Sequence, residues 1–292
     1  MNTNSKKINN KGEVLAWSMY DFANQPFTNL VVTFIYGTFF TTVIASNEII
    51  GTQQWSHAIS ITAIVVALLS PFMGALADKG GYRKMFMLFF TWLTIIATSV
   101  LYFVLPGEVL NALFWFVIAN IGFEMGSVFC NAYLPDISHP KNIGRISGYG
   151  WSLGYLGGLI ALALAMLFLI QADTPIFGFE KGAAGDYQNI RATNLLVAVW
   201  FAVFSIPTFL FVKDKKPDTK AFLKNAKYTL KGYKNTAKEL KEYPQIVKFL
   251  VARLVYNDGL VTIFAFGGIY AAGSLNFTFD EIMVLGIVLN IT

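Results

Sequence analysis

Apolar residues fall in seven long runs separated by short polar segments, at positions 14–45, 55–77, 85–105, 110–134, 146–170, 193–212 and 246–272. Each run reaches or exceeds the roughly 20 residues that a helix needs to cross a bilayer core. An eighth run opens near Asp280, and the thirteen positions from there to Thr292 would give about 20 Å of helix at 1.5 Å per residue. That length falls short of a core of about 30 Å, so the pattern leads one to expect further spans in the whole protein. The expected class is all-α and polytopic, because a membrane-spanning chain must satisfy its backbone polar groups within each helix. Pro71 and Pro207, which lie inside apolar runs, are expected to bend or end their helices. The stretch 171–192, with its Gly, Asp and Pro content, reads as the long loop on the outer side.

Charge sets the orientation. Lys6, Lys7, Lys11, Lys79, Arg83, Lys84, Lys141 and Arg145 alternate to one side with the ten lysines from Lys213 to Lys241, against Lys181 and Arg191 on the other. Eighteen against two places the N-terminus in the cytoplasm by the positive-inside rule. Asp21, Asn24 and Gln25 interrupt the first run, which therefore reads as a retained span and not as a cleaved signal peptide. Three divisions follow: 1–212 as a six-helix transmembrane bundle, 213–245 as a basic connector, and 246–292 as the start of a second bundle. In the connector, Lys220, Lys224, Lys227, Lys231, Lys234, Lys238 and Lys241 recur beside Leu223, Ala226, Leu230, Tyr233, Ala237 and Leu240. Both stripes have helical period, so the segment is expected to lie along the membrane with lysines toward anionic lipid headgroups. Such a tethered stripe argues against nucleic acid as a partner.

Composition agrees with this reading. The chain of 292 residues is 55% hydrophobic and 13% charged, with 27 Phe, too apolar for a soluble domain of that length. Its single cysteine, Cys130, sits in an apolar run and reads as packing. His57 and His139 lack the neighbours that a metal site needs. With no nucleotide or hydrolase motif, neither a cofactor nor an enzymatic reaction is expected.

The informative residues are polar ones inside spans. An aspartate within a span costs roughly 2.5 to 3.5 kcal/mol on insertion scales and normally faces a partner or a water-filled cavity. Asp21 is therefore a candidate cavity residue, with Asn24 and Gln25 continuing its stripe and Pro26 freeing a backbone carbonyl. Glu124 lies near the middle of the fourth run, and a carboxyl in such a setting can bind and release a proton near neutral pH. It is the candidate proton-coupling group, with a permanent interhelical hydrogen bond as the competing reading. The seventh run carries Arg253, Tyr256, Asn257 and Asp258, of which Arg253, Asn257 and Asp258 are expected to form the cavity wall opposite Asp21. In the fifth run Gly150, Gly154 and Gly158 recur every fourth residue and offer a smooth face for helix packing.

The turn between the second and third runs reads Gly74-Ala-Leu-Ala-Asp78-Lys79-Gly-Gly81-Tyr-Arg83-Lys84. It resembles the signature loop between helices two and three of major-facilitator transporters, with Tyr82 where a second basic residue is usual. In this reading Gly74 allows close helix approach, Gly81 a tight reversal, and Asp78, Lys79, Arg83 and Lys84 form a conformational latch with Asp136. A narrower likeness spreads over most of the chain: Trp17-x2-Tyr20-Asp21-Phe22-Ala23-Asn24, Asn131-Ala-Tyr-Leu-Pro135 and Gly150-Trp-Ser-Leu-Gly-Tyr-Leu-Gly-Gly158. Together they resemble the vacuole-effluxer-like permeases, bacterial relatives of the autophagy-related amino-acid effluxers. The resemblance implies a major-facilitator fold in a bacterial inner membrane. It also implies a small-molecule substrate, amino acids among the candidates, moved by alternating access and coupled to protons. The rival reading is a transporter-like receptor or scaffold without net flux.

Overall fold

The computed structural model describes residues 11–172, 174–214 and 242–291, with the backbone alone for 75–80 and 290–291. The lysine stripe of the connector lies outside the described residues. The described chain is helical almost throughout: α1 (Lys11–Pro26), α2 (Glu48–Gly80), α3 (Arg83–Leu101), α4 (Val109–Asn131), α5 (Ile143–Ala165), α6 (Gln188–Phe204), α7 (Pro244–Leu275) and α8 (Phe279–Ile291). Among the described residues seven helical segments are long and apolar enough to cross a membrane, the first running Lys11–Ile44 and the last Pro244–Leu275. Successive spans alternate in direction. One end of the bundle gathers Lys11, Arg83, Lys141 and Lys213 and is called the basic end below.

The first span is not a uniform α-helix. Beyond Pro26, which lacks an N–H and so loosens the ladder, the backbone winds as a π-helix over Phe27–Phe34, breaks at Ile35, and winds so again over Phe40–Ile44. The two prolines of the other runs behave differently from each other. α2 continues through Pro71; α6 stops at Phe204 and a short helix, Ile206–Phe211, restarts with Pro207 in its first turn, where a missing N–H costs nothing.

Apolar burial does not drive one membrane helix onto another, so association rests on close packing and on interhelical hydrogen bonds. α3 packs along α4 and α1 along α5, with α2 against α4 and α6 against both α1 and α3. At the basic end, Trp17 Nε1 donates to Cys130 O (2.8 Å), the Tyr20 and Thr91 hydroxyls lie 2.8 Å apart, and Thr208 Oγ1 donates to Ala16 O (2.7 Å). These bonds tie α1 to α4, α3 and the helix after α6. At the other end, Trp55 stacks on Phe116 (3.9 Å between centroids) within a core that includes Phe34, Phe39 and Phe40.

The loop into α4 carries a pH-sensitive contact outside the membrane. Glu108 Oε2 accepts from Leu105 N and Asn111 Nδ2, both at 3.1 Å. The Leu105 N–H first, then the Asn111 amide, hold its carboxyl below the usual range. A depressed folded value means stability that is present above the unfolded value and lost as pH falls through the folded one. Glu108→Gln is thus expected to flatten the decline in melting temperature of the purified protein below about pH 4, as read by thermal scans across pH.

Candidate functional site

The arrangement around α1 follows from its register, since successive side chains turn by about 100°. Phe22 faces α6, where its ring lies 5.2 Å from Trp200 and its carbonyl accepts from Trp200 Nε1 at 3.0 Å. Asn24 faces α4, its Nδ2 reaching Ser127 Oγ at a long 3.5 Å. On the α5 side, a Cβ added at Gly150 would lie 2.5 Å from Asp21 Oδ2, and one at Gly154 would lie 3.4 Å from Asp21 Cβ. Added at Gly157 it would collide with Phe22 O, and at Gly158 with the Asn29 amide, with Gln25 Cγ at 3.0 Å. The glycine stripe of α5 thus receives the polar stripe of α1 directly.

What stays open on the first span is the strip Asp21, Gln25, Thr28 and Val32, each partly buried and spaced by three or four residues. It opens between α4 and α5. Among the described residues the Asp21 carboxylate accepts no hydrogen bond and pairs with no cation. Thr28 and Ser127 join this setting without having been singled out in the sequence; Thr28 could have been found there by its place two turns beyond Asp21 and one beyond Gln25, while Ser127 is located only by its contact with Asn24.

Glu124 is exposed on α4. It stands two residues, about 200°, round the helix from Gly122, whose added Cβ would lie 2.6 Å from Thr94 Oγ1 and 2.9 Å from Phe90 O of α3. The side chain therefore projects away from α3. Neither a hydrogen bond nor an ion pair holds it among the described residues.

Arg253, Asn257 and Asp258 are exposed, as is all of α7 from Pro244 to Gly259. α7 packs on the first span farther along, against Phe27–Phe34, Tyr36–Phe39 and Phe40–Ile44. There a Cβ at Gly268 would collide with Thr33 O and approach Thr38 Oγ1 to 2.9 Å. The described residues do not bring the Arg253 to Asp258 cluster against Asp21.

At the basic end, Gly81 takes a positive φ of 69°, which only glycine adopts freely. Arg83 then pairs with Asp136, donates from Nη1 to Ala132 O (3.2 Å) and lies over the Tyr133 ring. Its partner carboxylate is 48% exposed, so the pair itself is worth about 1 kcal/mol. Lys84 Nζ donates to Val212 O (2.9 Å), Lys84 N to Asp214 Oδ2 (2.8 Å), and Lys213 N to Glu13 Oε1 (3.0 Å). The start of α3 is thereby joined to the loop after α4 and to the chain leaving α6, which is itself tied to α1. The side chains of Asp78 and Lys79 lie outside the described residues. At Gly74 the close helix approach expected from the sequence is corrected, because nothing lies within 4 Å of a Cβ built there; α2 leaves much of its surface uncovered.

The fold and these polar spans define an integral membrane protein of the major-facilitator type, all-helical and polytopic. Residues 55–292 match the family described as "Vacuole effluxer Atg22 like", and the chain belongs to that family. Among its relatives, an "Uncharacterized MFS-type transporter YxiO" of Bacillus subtilis is 27% identical, over 88% of this chain and 59% of its own length. "Autophagy-related protein 22" of Yarrowia lipolytica is 22% identical over 82% of this chain and 51% of its own length. An uncharacterized protein of Aquifex aeolicus is 26% identical over 88% and 56%. The chain thus spans between about half and three-fifths of the length of the curated relatives that it matches.

Proposed function

We propose that the whole protein is a secondary active transporter that moves a small solute, amino acids being the leading class, by alternating access and coupled to protons. The observation that carries this reading is the Asp21 carboxylate, which has no hydrogen-bond donor or cation against it among the described residues, on a polar strip that opens between α4 and α5. A structural aspartate inside a span would have a fixed partner; one that awaits a ligand would not. Family membership supports the same reading, since its relatives include a protein named as a transporter of the MFS type.

In this mechanism Asp21, Asn24 and Gln25 line the solute path, and Arg253, Asn257 and Asp258 form the facing wall once the second bundle is complete. Glu124 carries the proton. Positions 1–212 and the bundle beginning at 246 rock against each other about a midplane site, joined by the connector 213–245 lying on anionic lipid. The pairing of Arg83 with Asp136, with Asp78, Lys79, Gly81 and Lys84 around it, biases the two conformations without touching solute. The N-terminus lies in the cytoplasm and the membrane is a bacterial inner membrane. Gly150, Gly154 and Gly158 serve helix packing.

The test is uptake of a panel of labelled amino acids into vesicles holding the full-length protein, with and without a pH gradient. Accumulation above the empty-vesicle level that rises with the gradient is expected. Saturable ligand binding with no flux in either condition would replace the transporter by a receptor.

A further inference from the structure

Beside the open strip of the first span stand two aromatic residues that the reading above leaves unused. Trp151 is 63% exposed, and its ring lies 6.0 Å from that of the partly buried Tyr155, inclined by 39°. Their direction follows from handedness. α1 and α5 both start at the basic end, and viewed from there a right-handed helix advances clockwise by about 100° per residue. On α1 the α4-facing Asn24, the open Asp21 and the α5-facing Gln25 succeed one another clockwise. α5 therefore lies clockwise of the opening. The flank of α5 that overlooks the opening is then the one about a quarter-turn clockwise from its α1-facing glycines. Trp151 follows Gly150 by one residue, Tyr155 follows Gly154 by one, and both occupy that flank. Asp21 Oδ2 itself rests against Gly150.

A carboxylate with no cation against it among the described residues, overlooked by two aromatic rings one helical turn apart, is complementary to an ammonium group. The carboxylate supplies charge-assisted hydrogen bonds. The ring faces attract the cation through their quadrupoles, most strongly for tryptophan and more so away from water. We propose that Asp21, Trp151 and Tyr155 form an ammonium-binding subsite and that the solute recognised carries a protonated amine. The inference rests on the transport reading for its purpose, but binding alone tests it.

Calorimetric titration of the full-length protein in detergent with phenylalanine, phenethylamine and 3-phenylpropanoate separates the amine from the carboxylate on one carbon frame. The first two are expected to bind saturably and the third not. Asp21→Asn should weaken both amine probes at least about tenfold, the size of a lost charge-assisted contact. Trp151→Leu should weaken them about fivefold and Trp151→Phe should largely restore binding, as an aromatic face requires. Unchanged gel filtration and circular dichroism serve as the folding control. Equal binding of 3-phenylpropanoate, absence of binding by either amine, or amine affinity unchanged in both Asp21→Asn and Trp151→Leu overturns the subsite. In that last case the aromatic pair is a membrane-interface anchor. Gradient-driven flux that survives both substitutions would sink the subsite and leave the transporter standing; amine binding without flux would do the reverse.

Discussion

Glu124→Gln is expected to abolish the pH-gradient-driven component of uptake while leaving solute counterflow intact. The substitution keeps the length and shape of the side chain and removes its ability to exchange a proton. Because Glu124 has neither a hydrogen-bond donor nor a cation against it among the described residues, the change breaks no contact on which α4 depends. Carrier exchange of one solute molecule for another needs both conformations but no net proton movement, so it should continue. Vesicles loaded with unlabelled solute and diluted into labelled solute read counterflow; the same vesicles with an imposed gradient read coupling. Retained gradient-driven accumulation in the variant would take Glu124 out of the mechanism. A loss of counterflow together with coupling would mark it as structural.

The second large effect concerns the seam between α1 and α5. Gly157→Ala should lower the stability of the full-length protein by about 3 kcal/mol, the upper part of the range for overpacking, even though alanine favours a helix interior over glycine by about 1 kcal/mol. The added methyl would collide with the carbonyl oxygen of Phe22, a backbone atom that no rotamer change moves aside. That same carbonyl accepts the Trp200 indole N–H, so displacing it strains the contact with α6 as well. Gly148 is the internal control. It lies on the same helix with nothing within 4 Å of a built Cβ, and Gly148→Ala should be neutral or slightly stabilising through helix propensity alone. Thermal unfolding in detergent, followed by intrinsic fluorescence, compares the two; equal effects would show that the seam is not close-packed.

The spans were legible because bilayer thickness imposes a length that hydropathy reports without help from tertiary structure. The run at 85–105 and α3, or the run at 146–170 and the span Ile143–Ile170, differ only at their ends. The same physics made Asp21 and Glu124 conspicuous, since an ionisable group inside an apolar run is costly wherever it points. Direction is what the linear pattern withholds. That Gly150 and Gly154 sit on Asp21 and that Gly74 meets nothing are facts about which helix lies next to which. Pro71 shows the limit of local rules: a proline within a helix costs a hydrogen bond, yet α2 continues through it. The π-helical winding of the first span was equally out of reach, because neither its apolar run nor Pro26 distinguishes an i→i+5 ladder from an i→i+4 one.

That winding has a mechanical implication. In a rod wound uniformly, both tips keep a fixed azimuth relative to each other. In the first span the coil Phe27–Phe34 lies between the tip that bears Asp21 and the stretch Tyr36–Phe39, and α7 packs from that coil onward. Tightening that coil by a single residue would swivel everything beyond it through about 100°. Thr38, which lies beyond that coil and approaches Gly268, would then turn away from α7 while Asp21 stayed in place, so that the far stretch is re-aimed without disturbing the near one.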